Sequence, residues 1–157
     1  MILYHGSKIE VKNPDIFHSR NRVDFGKGFY VTPIYEQAVS LCQRYLKFGL
    51  EAYVSTYAFD ESALKECNIK KFDSYSIEWL DFVLNCRKDK DNTNYDIVIG
   101  GVANDKVFDT VELYFSEMIS KEEALKRLKY AKPNMQYCFR KQSVIEKYLK
   151  FERSTRL

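Results

Sequence analysis

The residues best suited to chemistry in this chain are a histidine at position 5, followed by Gly6-Ser7, and the segment Asp24-Phe-Gly-Lys-Gly-Phe-Tyr-Val-Thr32. Two glycines flanking Lys27 let the backbone turn sharply and come close to a ligand. The Phe29-Tyr30-Val31 run that follows has strand propensity and carries a planar ring. Such a strand can hold an aromatic plate under a flat heterocycle. A histidine at a strand end can face a cleft and donate to a ribose hydroxyl. Together these features point to a nucleotide pocket. Taken singly, His5 also reads as a hydrogen-bonded strand histidine, and Tyr30, one tyrosine among 12, as core. The glycine turn fits neither the dinucleotide-binding Gly-x-Gly-x-x-Gly nor the phosphate-loop Gly-x-x-x-x-Gly-Lys pattern.

The two segments resemble the His-Gly-Ser and Phe-Gly-Lys-Gly-(aliphatic or aromatic)-Tyr signatures of the ADP-ribosyltransferase superfamily, in its diphtheria-toxin and poly(ADP-ribose) polymerase branch. The whole chain is similar to a bacterial family of small single-domain members of that superfamily. The resemblance implies an α+β fold in which two small, mainly antiparallel sheets surround a central NAD cleft with helices on the flanks. His5 would bind the ribose on the adenosine side of NAD. The Gly6 backbone would hydrogen-bond the nicotinamide carboxamide, where any side chain would crowd the amide. Ser7 and Gly28 fall beside these positions in the two motifs, and Tyr30 would stack on nicotinamide.

A third superfamily element is a glutamate near the start of a late strand. Here Asn134-Met-Gln-Tyr-Cys-Phe139 matches that strand, with Gln136 in the glutamate position. A carboxylate there accepts a hydrogen bond from a ribose hydroxyl and stabilises the positive charge that develops as the nicotinamide bond breaks. Glutamine keeps the hydrogen bond and gives up the charge, a loss on the order of a hundred-fold or more in rate for one well-placed electrostatic partner. Asp105 stands either as a replacement charge or as a helix N-cap. Arg20 and Arg22 precede the glycine turn and suit a pyrophosphate, although surface arginines are the commoner explanation for each singly. The implied activity is transfer of single ADP-ribose units from NAD, as substrate, to a macromolecular acceptor, protein or nucleic acid, with no metal. A bacterial toxin or defence role, with a neutralising antitoxin as partner, follows from the same resemblance. A non-catalytic NAD- or ADP-ribose-binding module and an NAD glycohydrolase are the alternatives.

Composition agrees with one domain of 157 residues, 45% apolar and 30% charged. The net charge of +3 is too small to assign nucleic acid as a partner, and Lys147, Lys150, Arg153 and Arg156 form only a mildly basic end. Cysteines 42, 67, 86 and 138 have no Cys-x-x-Cys spacing and read as buried free thiols. No apolar run approaches the roughly 20 residues of a membrane span, and the N-terminus lacks a basic leader, so the expected location is the cytoplasm.

These residues need elements to position them. Ile2 to His5 reads as a short strand and residues 28 to 32 as a second, joined by a loop long enough for a lid. Thr32-Pro33 predicts an N-cap and first helical position, followed by helical spacing to Gly49. Strands are expected at 52–59 and 69–72, with short helices at 61–66 and 77–86 and a solvated charged linker at 87–92. Tyr95 to Ala103 predicts a buried strand that bends at its glycine pair. Helices to Met118 and, behind the Ser120 capping box, to Tyr130 follow. A strand at 135–139, a helix at 142–147 and a last strand at 148–152 complete the expectation, a mixed order without parallel alternation.

Overall fold

The computed structural model describes all residues except Asn21, Arg22 and Asn104, together with the Asp105 side chain. The fold is α+β, with two small sheets and six helices among the described residues. One sheet joins β1 (Ile2–Ser7), β3 (Tyr53–Phe59) and β7 (Leu149–Arg156) in the order β1-β3-β7, antiparallel throughout. The other joins β2 (Phe29–Val31), β6 (Met135–Phe139), β5 (Ile97–Gly101) and β4 (Ile69–Lys71) in that order, with only β4 and β5 parallel. The two are stitched at one antiparallel bridge between Tyr4 and Thr32.

Strand alternation sends side chains to three apolar layers. Leu3, Phe29, Val31, Tyr57, Phe59, Ile97, Ile99 and Phe139 meet between the sheets. The opposite face of the four-stranded sheet presents Val98 and Cys138 to α3 (Ile77–Arg87), α4 (Asp105–Phe115) and α5 (Lys121–Leu128), which supply Trp79, Leu80, Val83, Val107, Val111, Ala124 and Leu128. On the outer face of the three-stranded sheet, α1 (Tyr35–Lys47) lays Ala38 and Cys42 against Ala52 and Val54. The short α2 (Ala63–Glu66) and α6 (Gln142–Tyr148) connect strands at the margins. No helix among the described residues is long and apolar enough to cross a membrane. Cys42, Cys86 and Cys138 are buried free thiols, and Cys67 is half-buried.

Four local expectations need correction. Thr32 does not cap α1. The preceding residue is Ile34, without a side-chain bond, while the Thr32 hydroxyl donates to the Met135 carbonyl at 3.0 Å and accepts from Ile34 N–H at 3.1 Å. The glycine pair does not bend β5, which runs through it. A Cβ on Gly101 would lie 2.5 Å from the Tyr75 ring and one on Gly100 would lie 2.9 Å from Phe25, so packed rings fix those glycines. The 87–92 segment is not simply solvated, since Arg87 and Asp91 are 16% and 11% exposed and both sit in ion pairs. The last strand reaches Arg156, with a register shift opposite Thr56/Tyr57.

Candidate functional site

The site follows from where the two sheets stop pairing. Tyr4 N–H donates to the Thr32 carbonyl at 2.8 Å and its carbonyl accepts from Thr32 N–H at 2.9 Å. Antiparallel strands alternate the direction of their peptide groups. Tyr4 faces β2, so Leu3, His5 and Ser7 face β3, and Gly6 turns its N–H and C=O back toward β2. Continued pairing would set Gly6 opposite Tyr30, but the ladder ends at Tyr4–Thr32. Among the described residues no ladder pairing continues past Tyr4–Thr32, so Gly6 and Tyr30 do not form the next pair. Gly6 is nonetheless buried, and buried peptide groups are almost always paired. The end of the ladder beside a buried glycine makes this junction the candidate site.

His5 props the gap open. Its Nδ1–H donates to the Tyr30 carbonyl at 2.7 Å, and its ring lies on Phe29 with centroids 4.6 Å apart. A carbonyl can only accept, so the proton sits on Nδ1 and Nε2 keeps its lone pair. Burial lowers the imidazole pKa, with the Tyr30 hydrogen bond opposing it more weakly, and this favours the neutral ring. The expected donation from His5 to a ribose hydroxyl is thus reversed: Nε2 can only accept.

Tyr30 leaves the other side of β2. Its hydroxyl donates to the Gly26 carbonyl at 2.5 Å and accepts from Phe25 N–H at 3.0 Å, which fixes the ring against the glycine turn. Burial pushes its phenol well above the ordinary value, so it stays neutral. Gln136 shares that face. In β6 it alternates with Cys138, the partner of Tyr30, and it pairs with Gly100 of β5. The residue is 9% exposed, and its Nε2 is buried without a partner.

The structure brings His5, Gly6, Tyr30 and Gln136 to one strand junction, and the remaining predicted residues divide. The Ser7 hydroxyl is used locally, donating to the Ile9 carbonyl and accepting from Ile9 N–H at 3.3 Å. Arg20 is carried to the glycine turn by Ser19, whose hydroxyl accepts from Gly28 N–H at 3.0 Å and donates to the Arg20 carbonyl at 3.2 Å. Arg22 lies outside the described residues. Asp105 begins α4, and its side chain is likewise outside them. The two key glycines have structural causes too. A Cβ on Gly6 would meet the Ala38 carbonyl of α1 at 2.5 Å, and one on Gly28 would meet the Phe139 carbonyl at 2.5 Å.

Sequence reasoning missed Phe29, the plate under His5, and it missed the anchoring of the long loop. Val11 N–H donates to Ser55 Oγ at 3.1 Å, Tyr57 Oη donates to the Val11 carbonyl at 2.6 Å, and Gln142 holds Ile16 N–H at 3.2 Å and the Pro14 carbonyl at 3.3 Å. These described parts of the loop are tethered rather than poised as a lid. Alternation in Phe29-Tyr30-Val31 was the available signal for Phe29. A surface depression of about 610 Å³ near Asp60, Tyr148 and Lys150, and one of about 570 Å³ beside α5, lie away from the junction. No group of three or more His, Cys, Asp or Glu among the described residues is arranged to hold a metal ion.

Residues 1–151 match a family described as "Protein of unknown function (DUF3990)", and the chain belongs to that family. Neither the curated proteins nor the solved structures gave a match.

Proposed function

We propose that the chain is an ADP-ribosyltransferase-like protein that binds NAD at the β1/β2 gap and transfers single ADP-ribose units to a macromolecular acceptor. The observation that carries this reading is the interrupted β1/β2 ladder, which stops short of a buried Gly6 at the position where pairing with Tyr30 would continue. A carboxamide has one carbonyl oxygen and an NH₂ group, the complement of one backbone N–H and one C=O. The nicotinamide amide therefore completes the interrupted ladder, and its ring falls beside Tyr30, whose plane is fixed by Gly26 and Phe25. His5 Nε2 accepts from a ribose hydroxyl, and the orphan Gln136 Nε2 donates to one.

In this reading the bond between nicotinamide nitrogen and ribose breaks with its electron pair leaving on nicotinamide. The acceptor's nucleophile forms the new bond to the same carbon and loses a proton. Gln136 orients the ribose through this step without supplying a negative charge, so turnover is slow and extension to polymer is not supported. Saturating NAD with and without cell extract tests the reading. Nicotinamide release with labelled acceptors supports transfer, and release without labelling supports a glycohydrolase. NAD binding without release favours the non-catalytic module, whose motivating observation is the neutral Gln136. No NAD binding at all defeats the reading, and with it the further expectation of a toxin held by an antitoxin.

A further inference from the structure

Behind the Tyr30 ring lies a partly buried ion-pair network that the NAD reading does not itself require. Arg87, at the C-terminal end of α3, donates from Nε and Nη2 to Asp24 Oδ1 at 3.0 and 2.7 Å and from Nη1 to Glu112 Oε1 of α4 at 2.5 Å. Its guanidinium also lies 5.1 Å from the Phe108 ring centroid and 5.4 Å from that of Phe115. Arg87 and Asp24 are 16% and 15% exposed. Burying both charges is costly unless the geometry is held, and a guanidinium fork closed on one carboxylate oxygen while bracketed by two rings is a rigid arrangement.

Asp24 adjoins Phe25 and Gly26, the two residues whose N–H and C=O grip the Tyr30 hydroxyl. Gly26 carries φ +79°, a conformation open to glycine, and its own N–H donates to the Val23 carbonyl at 3.1 Å. Fixing Asp24 thus fixes the two groups that orient the Tyr30 ring. We infer that Arg87 and Asp24 are positioning residues: the Arg87–Asp24 fork holds the glycine turn so that Tyr30 presents its ring to the nicotinamide group of NAD, and it ties that orientation to α3 and α4. The nicotinamide part of this inference rests on the function proposed above; the control of Tyr30 by the fork does not.

Two measurements separate them. With fluorotyrosine incorporated, the Tyr30 ¹⁹F resonance is identified by its loss in Tyr30→Phe. Asp24→Asn and Arg87→Lys should both shift or broaden it while leaving Tyr53 and Tyr130 unchanged. An unmoved Tyr30 signal in folded Asp24→Asn overturns the inference whether or not NAD binds. Calorimetric titration with NAD then forms a double-mutant cycle. Asp24→Asn and Tyr30→Phe should each weaken binding about ten-fold, and the double variant should be no weaker than either, because both act through one hydroxyl anchor. Losses that multiply to about a hundred-fold show that Asp24 acts independently of Tyr30 and overturn it. A parent protein that fails to bind NAD defeats the functional reading alone, since the fluorine spectrum still decides the fork. Circular dichroism of each variant excludes unfolding, and Arg87→Lys, which keeps the charge and loses the fork, stands in should Asp24→Asn fail to fold.

Discussion

Tyr30 lies between two regions built on opposite rules. Behind it, in the glycine turn, polar groups are matched: its hydroxyl to Phe25 and Gly26, Gly28 N–H to Ser19, Asp24 to Arg87. In front of it the β1/β2 ladder stops at Tyr4–Thr32, short of Gly6 and Tyr30, and in β6, on the other side of β2, Gln136 Nε2 has no partner among the described residues. The same contrast separates two glutamines six residues apart. Gln142 bonds Ile16, Pro14 and Glu146 and pins a loop, whereas Gln136 leaves its amide nitrogen orphaned at 9% exposure. A buried donor left unpaired is destabilising by about 1–3 kcal/mol, and on the proposed reading a bound ligand relieves that cost at Gln136.

The largest expected effect strikes where the two regions share a backbone. Gly6→Ala drives a methyl group to 2.5 Å from the Ala38 carbonyl of α1, which must move. Overpacking of this kind costs about 1–3 kcal/mol, and at this chain length about 3 kcal/mol lowers the melting temperature by roughly 6–12 °C. Thermal unfolding checks it. An unchanged melting temperature with lost NAD binding would mean that Gly6 is a glycine for the ligand alone.

Next in size is Tyr30→Ala, which removes the stacked plane and should weaken NAD binding by roughly 1–3 kcal/mol. Tyr4→Ala and Tyr35→Ala remove a mutual edge-to-face pair with centroids 5.2 Å apart and serve as the comparison. Calorimetry giving Tyr30→Ala the parent's affinity would remove Tyr30 from the site.

Gln136→Met is the sharper test of the contrast, because it is apolar and of similar shape. Removing an unpartnered buried donor should raise the unfolding free energy of the free protein by about 1 kcal/mol. The same change should lower NAD turnover more than NAD affinity, since the contact strengthens as the nicotinamide bond breaks. A destabilised free protein with normal turnover makes Gln136 a structural residue, and polymeric products from the parent defeat the single-unit expectation.

Much of the frame was legible because it is local. Helical spacing gave α1, the Ser120 capping box gave α5 with its bond from Glu123 N–H at 3.1 Å, and alternation gave β3. The strands that carry the candidate residues were legible for the same reason, with His5-Gly6 in β1 and Gly28 leading into Tyr30 of β2. What could not be read depends on contacts distant in sequence. Arg87-Lys-Asp-Lys-Asp looks solvated until Asp24, 63 residues away, closes on Arg87 and Arg140 closes on Asp91. Thr32 looks like a helix cap until the carbonyl of Met135, 103 residues away, accepts a hydrogen bond from its hydroxyl. The tautomer of His5 was equally hidden, since only the Tyr30 carbonyl determines it.

The smallest effect tests His5, which touches both regions through that carbonyl. Burial lowers its pKa in the folded protein from the ordinary value of 6.5. Below about pH 6.5 the unfolded chain therefore takes up a proton that the native imidazole refuses, so stability falls as pH falls, and it is flat with respect to this group above that range. The slope approaches about 1.4 kcal/mol per pH unit at most, between the lowered folded pKa and 6.5. The aspartates whose pKa values are also lowered, Asp15, Asp60 and Asp96, lose their stabilisation nearer pH 4, outside this window. Urea unfolding at intervals from pH 5 to 7.5 should show the slope in the parent and lose it in His5→Asn, which keeps a side-chain donor for the Tyr30 carbonyl. NAD affinity in the parent should persist below pH 6.5, because Nε2 stays unprotonated and able to accept. If His5→Asn keeps the parent's pH slope, the slope belongs to other groups and burial does not hold the His5 imidazole neutral below pH 6.5.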